Sequence, residues 1–113
     1  MNHLQQEQKP MPSLFDRAII LAAQAHAGMR RKGSDTPYIV HPMEAAAIAA
    51  TMTNDPEILA AAVLHDVVED TEYTIEDMKQ IFGERVAHII DGLTKLEEVM
   101  DRPSQQAENF RKI

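Results

Sequence analysis

The chain has 113 residues, with 11 Lys and Arg against 18 Asp and Glu and a formal charge of −7, which allows one small domain with a modest core. It has no cysteine, so disulfides, thiolate metal sites and cysteine nucleophiles are excluded, and its acidity argues against a nucleic-acid partner. No apolar run reaches the roughly 18–20 residues of a membrane span, and the polar N-terminus lacks a signal peptide's apolar region, so the expectation is a soluble, cytoplasmic domain.

Aromatic residues make up only 4% of the chain, so the core must come from Ala, Ile, Leu, Val and Met. Fifteen residues are Ala, mostly before Val63, and small side chains let helices approach closely. Alternating β-branched runs are absent, which predicts an all-α fold.

Residues 1–12 are polar, contain Pro10 and Pro12, and are expected to form a flexible leader ahead of a domain over 13–113. Ser13 is an expected N-cap, with Asp16 three residues on, for a first helix that stops at Gly28. A loop follows over MRRKGSDTPYIV, and a second helix is expected with Pro42 at its first position. Asp55 and Pro56 start a third helix through EILAAAVLHDVVED, and Thr74 with Asp77 starts a short fourth that ends at Gly83. A fifth covers ERVAHIIDGLTKLEEV, Pro103 is expected to break it, and SQQAENFRKI would form a sixth.

The third helix carries the chemistry. At 3.6 residues per turn, His65, Glu69, Asp66 and Asp70 fall at about 0°, 40°, 100° and 140° on the helical wheel. They form one polar arc opposite Ala60, Val63, Leu64, Val67 and Val68. Three acids and a histidine beside a core are costly unless compensated, and a divalent cation compensates them well. An imidazole with a carboxylate suits Mn, Fe, Co or Zn. His65 and Asp66 are the candidate ligands, and Glu69 and Asp70, one turn on, would orient water and move protons. His41, 24 residues before His65 at a helix start, adds a third candidate ligand. An acidic, solvated helix end and a packed histidine are the plain structural alternatives.

Arg30-Arg31-Lys32 is the only run of three basic residues. Guanidinium groups grip phosphate bidentately and stack on flat bases, although a solvated basic turn reads the same way in isolation. A cation site and a basic loop together suggest an anionic substrate. Among the other histidines, His26 is expected to be packed at the end of the first helix, and His88 occupies an ordinary amphipathic position.

The strings HAGMRRKG with TPYIVHP, AAAVLHDVVEDTEYT, FGERVAHIIDGLTKL and QQAENFRKI resemble the HD-domain alarmone hydrolases of the Rel/Spo type. The resemblance runs from about Leu14 to the last residue. It implies an all-α HD fold of about six helices and Mn²⁺-dependent removal of the 3′-pyrophosphate from guanosine tetra- or pentaphosphate. By motif position it implies that His41, His65 and Asp66 are metal ligands, that Glu69 and Asp70 handle the attacking water, and that Arg31 and Lys32 contact the nucleotide. The family's fourth ligand is an aspartate in a later string like ADRLHN, which has no counterpart before Ile113. The expectation is therefore an N-terminal portion of the hydrolase domain. Its alternative is a weak or inactive HD module that binds a nucleotide or a partner, with exposed apolar surface covered by homo-oligomerisation.

Overall fold

The computed structural model describes residues 10–111, with side chains described for 10–100. The expected leader therefore lies outside the described residues except for positions 10–12, which are non-helical and exposed. Five helices are present among the described residues: α1 Leu14–Ala25, α2 Val40–Ala49, α3 Pro56–Asp70, α4 Ile75–Phe82 and α5 Glu84–Arg111. No strand appears among the described residues, in keeping with an all-α class.

Helix starts follow local chemistry. The Asp16 N–H donates to Ser13 Oγ at 3.2 Å while the Ser13 N–H donates to Asp16 Oδ2 at 3.1 Å. Thr74 and Asp77 repeat this reciprocal arrangement at 3.1 and 2.9 Å. The Glu57 N–H donates to Asp55 Oδ1 at 2.9 Å, with Pro56 as the first residue of α3. These bonds satisfy N–H groups that the first helical turn leaves without partners.

α1 ends at Ala25, three residues before the expected stop at Gly28, and two further boundaries differ. α2 starts at Val40 rather than Pro42, which puts His41 inside its first turn. Pro42 is tolerated there because first-turn N–H groups have no intrahelical acceptor. The second difference is at Pro103, where no break occurs: the expected fifth and sixth helices are one 28-residue helix. A proline removes one hydrogen bond from a helix, and the flanking Glu, Gln, Ala and Arg residues are good helix formers.

α3 is the central element and packs against α1, α2 and α5, while α4 packs on α5. Ala60, Ala61, Val63, Leu64 and Val67 of α3 are buried with Ala18 and Ala22 of α1, Ala46 of α2, Met78 and Phe82 of α4, and Val86, Ala87 and Ile90 of α5. Alanine at 18, 22, 60 and 61 lets α1 and α3 lie close, which explains a core with so few aromatics. Arg85 Nη1 braces the start of α3 at 2.9 Å from both Asp55 Oδ2 and Glu57 Oε1.

The loop after α1 folds back on itself. Gly28 and Gly33 take φ of +82° and +75°, values that other residues rarely adopt. The Arg31 N–H donates to the Thr36 carbonyl at 3.0 Å and the Tyr38 N–H to the Met29 carbonyl at 2.9 Å. An isolated antiparallel bridge between Arg30 and Pro37 closes this narrow basic hairpin. No helix among the described residues is long and apolar enough to cross a membrane.

Candidate metal centre

The polar arc of α3 lies where α2, α5 and the hairpin meet its C-terminal half. His65, Asp66 and Glu69 each place one ligand-type atom within 4.8 Å of the others. His65 Nε2 is 3.2 Å from Glu69 Oε1, and His65 Nδ1 is 4.0 Å from Asp66 Oδ1. Across from α3, His41 Nε2 stands 3.3 Å from Asp66 Oδ2. The side chains of His65 and Asp66 are only 12% and 13% exposed, so their polar atoms need partners from within the protein or a bound group.

Glu97 of α5 joins this cluster, with Oε2 3.6 Å from His65 Nε2. The neighbouring Glu97 carboxyl, followed by burial and other nearby carboxylates, pushes Glu69 up to about 7 from its ordinary 4.5. Two carboxyl groups this close share a proton when no cation lies between them. Burial raises Asp66 above the usual carboxylate range, and His41 and His65 partly oppose that shift.

The donor set fits a divalent cation. His65 Nε2 is buried without a hydrogen-bond partner, although two carboxylate oxygens lie within 3.6 Å of it. A cation would take that lone pair and neutralise the converging acids, and mixed imidazole and carboxylate donors suit first-row divalent metals. His65 and Asp66 would hold it, with His41 meeting Asp66 from α2 and a Glu69 oxygen within 4.8 Å of the His65 and Asp66 donor atoms.

Asp70 turns away from this set. Its Oδ2 accepts from the Tyr38 hydroxyl at 2.8 Å. Tyr38 also lines a cavity of about 400 Å³ with Arg31, Lys32, Ser34, Thr36 and His41. His41 thus lies in the cavity wall and beside Asp66, so the basic cleft adjoins the cluster. A larger groove of about 580 Å³ lies on α4 and α5. Its charges are already matched, Lys79 with Glu84 at 3.7 Å and Arg85 with Asp55 and Glu57, and the His65 cluster takes no part in it.

Sequence reasoning did not assign Tyr38 or Glu97 to the site. Tyr38 was visible as part of TPYIVHP, where its distance from His41 placed it near that residue. Glu97 had no local signal, because only the path of α5 across α3 brings it to His65. His26 is buried as expected, 2% exposed, with its ring 4.8 Å from that of Tyr38 and both nitrogens without a hydrogen-bond partner. His88 is exposed.

A buried helix that presents adjacent His and Asp, faced by a histidine from a second helix, defines the HD class of helical metal-binding domains. The HD-domain family profile matches residues 18–113, and the chain belongs to that family. The chain is 46% identical over 99 residues to the bifunctional (p)ppGpp synthase/hydrolase SpoT of Escherichia coli K12, covering 86% of this chain and 14% of that protein. It is 43% identical over 107 residues to the guanosine-3′,5′-bis(diphosphate) 3′-pyrophosphohydrolase of Vibrio cholerae, covering 93% of this chain and 15% of the relative. A GTP pyrophosphokinase of Streptomyces coelicolor is 45% identical over 99 residues, covering 88% and 12%. The chain therefore spans about one seventh of the length of these curated relatives.

Proposed function

We propose that this HD domain is the hydrolase portion of an alarmone-degrading enzyme, removing the 3′-pyrophosphate from guanosine tetra- or pentaphosphate. The observation that carries this reading is the adjacency of the His65, Asp66 and Glu69 cluster to a cleft lined by Arg31, Lys32 and His41. The names of the relatives, a synthase/hydrolase and a 3′-pyrophosphohydrolase, support the substrate.

In this reading His41, His65 and Asp66 hold one divalent cation, Mn²⁺ in preference to other first-row metals. The cation supplies Lewis acidity towards water and charge neutralisation at phosphate. Arg31 and Lys32 hold the guanosine end, Arg31 by bidentate contact or stacking and Lys32 as a point charge. Asp70 orients the attacking water. Glu69 accepts the water's proton. Water oxygen bonds to phosphorus as the phosphorus bond to the ribose 3′ oxygen breaks. The departing 3′ oxygen takes up a proton from solvent, and the products are pyrophosphate and a nucleotide with a free 3′-hydroxyl.

In this reading the hydrolase domain includes residues 13–113 and acts in the cytoplasm. Exposed Leu96, Val99 and Met100 on α5 support self-association through that helix.

The test is release of pyrophosphate from guanosine tetraphosphate by the purified chain with added Mn²⁺. Release that disappears in His65→Ala and Asp70→Ala supports the reading. A folded, Mn-loaded chain that releases none sinks it for this chain.

A further inference from the structure

We propose that Tyr38 is a positioning residue, whose hydroxyl holds the Asp70 carboxylate so that the basic hairpin and the end of α3 sit in one register. The inference rests on the reading of Asp70 as a group that handles water, but it adds a residue that this reading does not need.

Asp70 is the last residue of α3, where the helix dipole presents its negative end. A carboxylate there is electrostatically disfavoured and has no backbone N–H of its own helix to hold it. A neutral donor from another element removes this difficulty. The Tyr38 hydroxyl, 2.8 Å from Oδ2, is that donor.

The tyrosine is itself fixed at several points. Its N–H donates to the Met29 carbonyl at 2.9 Å, across the neck of the hairpin that carries Arg31 and Lys32. Its ring lies 4.8 Å from the buried His26 ring on one side and 5.9 Å, edge-on, from His41 on another. The hydroxyl therefore transmits the position of the hairpin to Asp70. The same side chain forms part of the cleft wall.

The test is Tyr38→Phe, which keeps the ring packing and removes only the hydroxyl. We expect kcat for pyrophosphate release to fall about tenfold, the equivalent of one hydrogen bond to a charged group, with KM for the guanosine polyphosphate and Mn²⁺ affinity unchanged. An unchanged kcat, or a rise in KM alone, overturns the inference. A second measurement does not depend on activity. Tyr38→Phe should shift the denaturant midpoint in the otherwise unmodified chain and should not shift it in Asp70→Ala, because the bond is already gone. Equal shifts in both backgrounds overturn the inference. If the unmodified chain releases no pyrophosphate while this coupling is present, the functional reading fails and the positioning contact stands.

Discussion

His41 Nε2 lies 3.3 Å from Asp66 Oδ2, so a histidine on α2 meets an aspartate on α3 across 25 positions of sequence. This contact joins the wall of the basic cleft to the cluster on α3. If it marks a cation site, Mn²⁺ should raise the melting temperature. At a free metal concentration a hundredfold above Kd the gain is about 2.7 kcal/mol. Asp66→Asn and His65→Ala should each abolish most of the shift, and His41→Ala should reduce it. Calorimetric titration with Mn²⁺ checks the affinities directly, and a flat titration of the folded chain would contradict the site.

Removing the negative charge at Glu97 should change how stability depends on pH. Glu69 is raised in the folded protein from 4.5 to about 7, so the metal-free folded state binds the extra proton. The associated stability is present below 4.5 and is lost as pH rises through about 7. Glu97→Gln removes the main cause and should flatten that loss. Denaturant midpoints of the metal-free chain at pH 5 and pH 8 provide the comparison.

His26 has the opposite sign. Burial lowers it below its ordinary 6.5, so the unfolded chain binds the proton more readily than the folded one. Its contribution is therefore a loss of stability as pH falls below 6.5. His26→Leu should remove this acid sensitivity. Because neither ring nitrogen has a partner, the substitution should also be neutral or stabilising at pH 8, as read by thermal melts.

The site depends on how α3 is seated. Leu64 is fully buried one residue before His65, and Leu64→Ala should cost about 2–5 kcal/mol. Ala60→Leu adds volume at a fully buried position of α3 and should cost about 1–3 kcal/mol. Both should weaken Mn²⁺ binding without touching a ligand. Urea denaturation followed by metal titration in each variant separates the two effects.

Arg31→Ala and Lys32→Ala should raise KM for guanosine tetraphosphate about tenfold or more, with Mn²⁺ affinity preserved. Both residues line the cleft, whereas His65 and Asp66 lie on α3. Steady-state kinetics at saturating metal are the check. Equal losses of metal affinity would place the two residues elsewhere in the mechanism.

The all-α class, the caps at Ser13, Asp55 and Thr74, and the polar arc of α3 were legible from local sequence. Each depends on residues within one or two helical turns, where propensity and spacing act directly. The His-Asp pair also follows from this spacing, because adjacent residues on a buried helix must both find partners. Tertiary structure decided which partners they find. Only the packing of α2 on α3 brings His41 to Asp66, and only the course of α5 past α3 brings Glu97 to His65. Tyr38 and Asp70, 32 positions apart, meet because the hairpin folds onto the end of α3. These contacts depend on side-chain volume and helix crossing geometry summed over the whole core, and no short stretch of the chain contains that information.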